Sequence, residues 1–179
     1  MTARQPSGEY HFCPYCGSAL ERQERGGRER GACPGCGYVA YRNPAVGVAV
    51  VIRRGGEVLL GLRRGSYGGM WCIPCGYVEW DEDLREAATR EFEEETGLRV
   101  RLGEAVAVHS NFHNPAQHTV GVWFSGEVIA GEPVASDDLA DVRFFSLDAL
   151  PENLAFPTDR LVLEQLRAAR TTAPAPRCS

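Results

Sequence analysis

The chain has 179 residues, of which 44% are apolar and 24% are charged, and its formal net charge at pH 7 is −5. This length suits one domain with a sizeable core plus a small appendage, and the negative charge argues against a polyanion-binding surface as the main function. All 19 basic residues are arginines. The composition therefore excludes lysine Schiff-base chemistry and the lysine of a Walker-type phosphate loop.

The N-terminal segment, residues 1–12, lacks the apolar core of a signal peptide, and no stretch reaches the roughly 18 apolar residues that a membrane span needs. We therefore expect a cytoplasmic protein with no membrane partner and a disordered N-terminus over residues 1–10. In that compartment, paired cysteines bind metal or do chemistry more often than they form structural disulfides. The odd number of cysteines, seven, also argues against a simple disulfide framework.

Residues 11–36 contain two Cys-x2-Cys knuckles with sixteen residues between them. The segment is polar and contains few apolar side chains, so it cannot fold around an apolar core of its own. A Zn²⁺ ion held by four thiolates would supply the missing stability. The alternative is a disordered arm with chance cysteines, but a glycine follows each knuckle and the spacing is typical of a zinc ribbon. We predict a ribbon over residues 11–40 with structural Zn²⁺ bound by Cys13, Cys16, Cys33 and Cys36.

The middle of this ribbon alternates in charge. Its arginines could bind nucleic acid, but glutamates lie between them, so the local electric field nearly cancels. We therefore expect no nucleic-acid partner, and we predict a structural role for the ribbon or a role in forming a homodimer. The charged residues are Arg22, Arg25, Arg28 and Arg30 with Glu21, Glu24 and Glu29.

After a short linker, 41–44, the sequence changes to apolar, β-branched runs. Two of them flank Gly55-Gly56, which is a strong signal for a β-hairpin. We expect the tail, 171–179, to be disordered and Cys178 to be incidental. The predicted elements are strands at 45–54 and 57–64, a glycine-rich loop at 65–70, a helix from Asp81 to Thr96 that Gly97 ends, strands at 98–109, 119–129 and 141–146, and an amphipathic helix at 156–170.

The stretch WCIPCG, residues 71–76, resembles the active-site turn of a thioredoxin. A thioredoxin cysteine is reactive because it lies at a helix N-terminus, where the helix dipole stabilises the thiolate. Here the predicted helix begins about six residues too late, and the chain lacks a βαβ pattern around the pair. We therefore predict that Cys72 and Cys75 are small packing residues beside a tight turn.

The predicted helix carries acidic residues where its apolar face should continue. A solvated acidic face is the usual interpretation of such a run, but these acids fall where burial is expected, at the negative end of the helix dipole. A divalent cation would offset both costs, because Mg²⁺ prefers carboxylate oxygens and often binds phosphate oxygens as well. Three carboxylates on one face predict metal-dependent phosphoryl or pyrophosphate chemistry. The apolar stripe is Leu84, Ala87, Ala88 and Phe92, and the acids in its sector are Glu91, Glu94 and Glu95.

The residues around this helix match a known pattern. Gly76, Glu82 and the run REFEEETGL from Arg90 to Leu98 stand at the spacing of the Nudix box, with all fixed positions present over 23 residues. The chain therefore resembles the Nudix hydrolases. This resemblance implies an α/β (α+β) fold, a mixed β-sheet sandwiched between helices and preceded by the small zinc ribbon. Residues 44–170 would form the Nudix domain, with the box as a loop–helix–loop.

The resemblance extends beyond the box. A zinc ribbon joined through YRNP to such a domain, followed by the run 142–157, looks like a subgroup of ADP-ribose and FAD pyrophosphatases. Bacterial NADH pyrophosphatases also carry a ribbon, but their Ser-Gln-Pro-Trp-Pro-Phe-Pro signature is absent, and residues 109–118 are HSNFHNPAQH instead. Pro115 lies near the place where ADP-ribose hydrolases often carry a proline.

The resemblance also implies roles for the residues of the box. Glu91, Glu94 and Glu95 would bind catalytic Mg²⁺ or Mn²⁺, with the carbonyl oxygen of Gly76 as a further ligand. Arg90 would orient Glu91, and Glu82 would support these residues without binding the metal directly. The implied reaction is hydrolysis of a nucleoside diphosphate linked to another group, with AMP released from ADP-ribose or FAD.

Several assignments stay open at this point. The base that activates water is either Glu91 or a loop residue, for which Asp141, His113 and Glu127 are candidates. The alternatives to ADP-ribose and FAD are NADH, nucleoside triphosphates and a non-catalytic role as a nucleotide-sensing regulator. An aromatic ring can stack on a base, and the candidate substrate contacts are Phe112, His113 and Tyr67.

Overall fold

The computed structural model of the chain describes residues 10–172, which form two compact units. The smaller unit comprises the residues up to 44 together with 114–118, and the larger unit comprises 45–113 and the residues from 119 onward. Disorder is predicted for 1–10 and 171–179, but residues 171 and 172 belong to the closing helix, so the prediction is wrong there. Residues 1–9 and 173–179, with Cys178, lie outside the described residues. Within 10–172, no helix has both the length and the apolar character that crossing a membrane requires.

The smaller unit contains a three-stranded antiparallel sheet. Strands β1 (Glu21–Glu24) and β2 (Glu29–Ala32) form a hairpin, and β3 (Val39–Ala40) pairs with the other edge of β2. The hairpin turn contains Gly26 and Gly27 at φ 62° and 72°, a left-handed conformation that glycine adopts at little cost. The two predicted knuckles precede β1 and β3.

The larger unit is built on a seven-stranded mixed sheet. Its strands are β4 (Ala45–Arg54), β5 (Glu57–Arg63), β6 (Trp71–Cys72), β7 (Cys75–Tyr77), β8 (Arg99–Asn111), β9 (Thr119–Ala130) and β10 (Leu139–Ser146). They follow the order β10-β5-β4-β9-β8, with β6 beside β5 and β7 beside β4. Strands β4 and β9 are parallel, and the remaining pairs are antiparallel.

Two helices, α1 (Leu84–Thr96) and α2 (Pro157–Thr172), complete the larger unit. Helix α1 begins three residues later than predicted because Asp83, rather than Asp81, is its N-cap: the Asp83 side chain accepts hydrogen bonds from two backbone N–H groups of the first turn. Gly97 ends the helix at φ 69°, as expected. Helix α2 begins at a proline, which suits the first position of a helix.

The core lies on both faces of the sheet. Successive residues of β4 point to opposite faces, so one set packs against α1 and the other against α2. The set on the α1 side includes Val48, Val50, Ile52, Ala87, Ala88 and Phe92, and the set on the α2 side includes Ala49, Val51, Val162 and Leu163. The sheet is thus sandwiched between two helices, which confirms the predicted fold class.

Candidate active site

The last turns of α1 present a buried carboxylate to β7. Glu95 is 2% exposed, and its Oε2 atom accepts a hydrogen bond of 2.9 Å from the backbone N–H of Cys75. Burial raises the pKa of Glu95 to about 8, although this N–H and the positive charge of Arg63 act in the opposite direction. When ionised, a carboxylate buried in this way is stabilised by a neighbouring cation.

A second carboxylate lies against the backbone of the same strand at Gly76. A Cβ atom on Gly76 would lie 1.9 Å from the Cδ atom of Glu91, far inside van der Waals contact, so glycine leaves the room that this carboxylate occupies. The Glu91 side chain is 17% exposed, and burial raises its pKa. The fold therefore brings together two predicted site residues that come from different elements.

Arg90 connects three of the predicted carboxylates. Its Nε and Nη2 atoms donate to the two carboxylate oxygens of Glu82 at 2.7 and 2.8 Å. Its Nη1 atom lies 3.0 Å from Oε1 of Glu91 and 3.1 Å from Oε2 of Glu94. The paired hydrogen bonds from Arg90 lower the pKa of Glu82. One guanidinium thus fixes the relative positions of acids on α1 and on the loop before it.

These residues could hold a divalent cation along the contact between α1 and β7. Carboxylate and carbonyl oxygens are the ligands that Mg²⁺ and Mn²⁺ prefer, and Glu91, Glu95 and the carbonyl of Gly76 offer them there. Glu94 is half exposed and is directed towards Arg90. Within residues 10–172, the one set of three or more Cys, His, Asp or Glu side chains whose ligand atoms all lie within 4.8 Å of one another is the cysteine set of the smaller unit.

That cysteine set has the geometry of a closed metal site. The Sγ atoms of Cys13 and Cys36 lie 3.5 Å apart, and those of Cys16 and Cys33 lie 3.4 Å apart. A tetrahedral Zn²⁺ with Zn–S bonds of about 2.3 Å separates its sulfur ligands by about 3.8 Å. The four thiols therefore fit a Zn²⁺ ion with small adjustments.

The two knuckles share one local structure. The N–H of Gly17 donates to the carbonyl of Cys13, and the N–H of Gly37 donates to the carbonyl of Cys33, each at 2.9 Å. Both glycines adopt the left-handed conformation, with φ of 73° and 76°. Each knuckle is thus the same tight turn, and the repeat explains how so polar a segment places four sulfur atoms together.

The family to which this chain belongs follows from comparison with known proteins. The model of the NUDIX domain matches residues 41–166, more than half of the chain. The chain belongs to the Nudix family. The matched range contains the box, α1, the seven-stranded sheet and the first part of α2, so the carboxylates described above lie within the domain that defines this family of hydrolases.

Two relatives and one solved structure are similar to this Nudix hydrolase. The ADP-ribose pyrophosphatase of Methanocaldococcus jannaschii is 35% identical over 132 residues, which cover 73% of this chain and 78% of that protein. The NAD-capped RNA hydrolase NudC of Pseudomonas aeruginosa is 32% identical over 157 residues, 87% of this chain and 53% of that protein, so the chain spans about half the length of that relative. The crystal structure of a Nudix hydrolase from Nitrosomonas europaea aligns with a TM-score of 0.78 at 28% identity, covering 93% of this chain and 96% of that one.

The WCIPCG stretch of this Nudix hydrolase forms β6, a turn and β7 rather than a helix N-terminus. Cys75 lies in β7, and α1 begins at Leu84. The hydrogen bond with Cys72 and the burial of the thiol raise the pKa of Cys75 well above its usual value, which is opposite to what a reactive thiolate needs. The side chain of Cys72 is fully buried among apolar residues. These contacts agree with the predicted packing role.

Two of the three candidate substrate contacts lie together. The Oη atom of Tyr67 is 2.7 Å from Nε2 of His113, and their ring centroids are 5.5 Å apart. The third, Phe112, is exposed. The ring of Phe156 completes the group, 5.3 Å from Tyr67 and 5.7 Å from His113. Sequence analysis missed Phe156 because it fits the apolar pattern of the closing helix that follows it.

Of the three residues predicted as a base from a loop, Asp141 lies in β10 and Glu127 in β9, so only His113 is in a loop, and each of the three has a partner. Asp141 forms an ion pair with Arg143, and Glu127 lies 3.1 Å from Arg101. His113 is hydrogen-bonded to the tyrosine just described. Glu91 is the candidate that lies against β7 beside the other site residues.

A buried aspartate supports the turn before β7 from the side of α2. Asp159 accepts hydrogen bonds from the backbone N–H of Ile73 at 2.9 Å and from Nε1 of Trp123 at 3.2 Å. Burial raises the pKa of Asp159 to about 7. Residues 73–76 are thus held between two buried carboxylates, Asp159 and Glu95. Sequence alone does not predict this contact, because an acid in the first turn of a helix is also expected from the helix dipole.

Proposed function

We propose that this Nudix hydrolase is a pyrophosphohydrolase that cleaves a nucleoside diphosphate linked to another group, with ADP-ribose or FAD as substrate and AMP as one product. The observation that carries the proposal is the contact of Glu95 and Glu91 with Cys75 and Gly76. Through this contact, two buried or half-buried carboxylates lie against one strand, at the negative end of a helix dipole.

We assign the catalytic Mg²⁺ or Mn²⁺ to Glu91, Glu94, Glu95 and the carbonyl oxygen of Gly76. The raised pKa values of Glu91 and Glu95 support this assignment, because burial opposes their ionisation and a divalent cation would favour it. When bound, such a cation neutralises negative charge on the phosphoryl oxygens of the substrate. We likewise assign a structural Zn²⁺ to the four cysteines of the smaller unit.

The protein groups have distinct tasks in this scheme. Arg90 holds Glu91 and Glu94 in position, and Glu82 fixes Arg90 through two hydrogen bonds. Glu91 takes a proton from the attacking water, because its carboxylate lies against β7 beside the other site residues. Water adds to one phosphorus and the bond from that phosphorus to the bridging oxygen breaks, so ADP-ribose gives AMP and ribose 5-phosphate.

Two observations favour ADP-ribose or FAD. The relative from M. jannaschii that is named an ADP-ribose pyrophosphatase is 35% identical and is covered over 78% of its length. Residues 109–118 also lack the proline- and aromatic-rich signature that follows the box in bacterial NADH pyrophosphatases.

A nicotinamide dinucleotide, free or at the end of an RNA, is the second candidate. It is favoured by the NudC relative from P. aeruginosa, whose similarity covers 87% of this chain and therefore extends into the ribbon. The acidic net charge of −5 and the mixed charges of the ribbon argue against the RNA form.

A substrate panel with identified products tests the proposal. The purified chain is incubated with Mg²⁺ or Mn²⁺ and with ADP-ribose, FAD, NADH, NAD-capped RNA or a nucleoside triphosphate. We expect AMP from ADP-ribose or FAD, strongly reduced in Glu94→Gln and unchanged in Glu93→Gln, a matched change on the same helix. Turnover of nucleoside triphosphates alone, or of no substrate by a zinc-loaded and folded chain, would contradict the proposal.

A further inference from the structure

Three rings from separate loops meet at the surface of the larger unit. We define the aromatic cluster as Tyr67, His113 and Phe156. Tyr67 lies in the glycine-rich loop after β5, His113 follows β8, and Phe156 precedes α2. Their centroids are 5.3, 5.5 and 5.7 Å apart in edge-to-face or tilted contact, and Tyr67 remains 38% exposed. The cluster is therefore packed within itself but keeps accessible ring surface.

The loop that carries Tyr67 is held in a strained conformation. Tyr67 has φ of 62°, in the left-handed region that residues other than glycine seldom adopt. Side chains fix the loop on both sides of it: Asn153 donates to the carbonyl of Gly69 at 2.7 Å, and Arg63 donates to the carbonyl of Ser66 at 3.2 Å. Strain that surrounding contacts maintain in this way concentrates at ligand-binding positions.

The aromatic cluster adjoins the carboxylate site through Arg63. The guanidinium of Arg63 lies 5.4 Å from the centroid of Phe156 on one side and 3.9 Å from Sγ of Cys72 on the other. The Arg63 side chain is 11% exposed, and its positive charge partly offsets the rise in the pKa of Glu95 that burial causes. Phe156 also packs against the buried cluster that includes Cys72, and so does Cys75, the residue whose N–H binds Glu95.

We propose that the aromatic cluster binds a planar aromatic ring of the substrate by stacking. This inference rests on the proposed function, which places the pyrophosphate at the neighbouring carboxylates. The three rings touch one another and leave no slot between them, so the substrate ring stacks on their exposed outer face. That ring is either the adenine of the AMP half or the isoalloxazine of the FMN half of the substrate.

The groove along the outer side of α1 is less suited to this task. It encloses about 660 Å³, and its lining is mostly charged, including Arg85, Glu86 and Glu93. The guanidinium of Arg85 is already bound to the carbonyl oxygens of Leu102 and Gly103, at 3.3 and 2.8 Å. A planar ring finds its stacking partners in the aromatic cluster instead.

Calorimetric binding of the two products and of a ring-free analogue tests the inference. The full chain with Mg²⁺ is titrated with AMP, FMN and ribose 5-phosphate, which carries phosphate and sugar without a ring. We expect AMP or FMN to bind about 5- to 100-fold more tightly than ribose 5-phosphate, the range that one stacked base provides. Tyr67→Ala or His113→Ala should reduce that ratio to about twofold, and Tyr67→Phe should retain it because the ring is kept. The ligand whose affinity falls identifies the bound ring.

Two results would overturn the inference. One is equal affinity of the wild type for all three ligands. The other is a preference for AMP or FMN that survives both Tyr67→Ala and His113→Ala in variants whose circular dichroism matches the wild type. Since the assay measures binding and not turnover, a chain that hydrolyses no dinucleotide yet loses AMP affinity in these variants would contradict the proposed function and support the aromatic site.

Discussion

The two candidate metal sites of this protein each draw on a short stretch of chain, but they differ in how that stretch brings the ligands together. In the smaller unit, two identical glycine-closed turns joined by a hairpin bring four thiols within 4.8 Å of one another. In the larger unit, the acids of α1 depend on β7, the strand directly before the helix: Glu95 binds the Cys75 N–H, and Glu91 fills the space beside Gly76. Two repeated turns place the ligands of the first site, whereas the packing of a helix against the preceding strand completes the second.

Zinc removal should unfold the ribbon and leave the larger unit folded, which is the largest difference we expect between the two sites. We expect a chelator, or Cys16→Ser, to unfold the ribbon because its polar segment has no apolar core to replace the metal. Hydrogen exchange over residues 13–40 should rise to unfolded rates, while β4 and α1 keep their protection because their core is apolar. Cys178→Ser is the matched control and should change neither region. A ribbon that stays protected after metal analysis shows no zinc would contradict the assignment.

Gly76→Ala should damage the larger site without unfolding it. The added methyl group would lie 1.9 Å from the Glu91 carboxyl carbon, so the carboxylate must move. We expect kcat for AMP release to fall by about 100-fold, comparable to the loss of a group that positions a metal ligand. A double-mutant cycle with Glu91→Ala checks the cause, because the two losses should then be far from additive. Additive losses would show that Gly76→Ala does not lower kcat by displacing Glu91.

Arg90→Lys should cost less than the loss of a ligand. A lysine retains the charge but cannot bind both oxygens of Glu82 while reaching Glu91 and Glu94. We expect a roughly 10- to 100-fold loss in kcat or in Mn²⁺ affinity, the range for a group that orients metal ligands. Steady-state kinetics at several Mn²⁺ concentrations measure both quantities. Activity within about twofold of the wild type would contradict the proposal that Arg90 positions the metal ligands.

Asp159→Asn should change the pH dependence of stability. The pKa of Asp159 in the folded chain is raised to about 7, above the value of an unfolded aspartate, so the folded state holds this proton to higher pH. The contribution of Asp159 to the free energy of unfolding should therefore decrease as pH rises from about 4 to about 7, by at most about 4 kcal/mol. Urea unfolding of the zinc-loaded wild type and variant at several pH values measures the difference between their free energies of unfolding. If Asp159 has the pKa of an ordinary aspartate, this difference should not change with pH over that range.

The parts of this structure that local sequence determines were predicted closely. The hairpin at Gly55-Gly56, the end of α1 at Gly97 and the glycine-closed knuckles follow from turn and cap chemistry that acts over a few residues. The start of α1 was placed too early because both Asp81 and Asp83 can cap a helix. The fold decides between them through the hydrogen bonds that Asp83 accepts.

The remaining site residues could not be predicted because their partners are distant in sequence. Asp159 binds Ile73 across 86 positions, and Phe156 meets a tyrosine and a histidine from two other loops. The sequence pattern shows each of them as part of the closing helix. The helical wheel does place Glu91 and Glu95 towards the core, but their contacts with Cys75 and Gly76 depend on how α1 packs against β7.

Comparing Glu95→Gln with Glu93→Gln tests most directly whether the buried carboxylates of α1 hold the catalytic cation. Both change one acid to its amide on α1, but only Glu95 is among the residues assigned to the cation. Mn²⁺ affinity from electron paramagnetic resonance and AMP release from ADP-ribose or FAD are measured on the same samples. We expect Glu95→Gln to lower both quantities by about 100-fold or more and Glu93→Gln to leave both within about twofold. A Glu95→Gln chain that binds Mn²⁺ and releases AMP as the wild type does would contradict the assignment of the cation to Glu95.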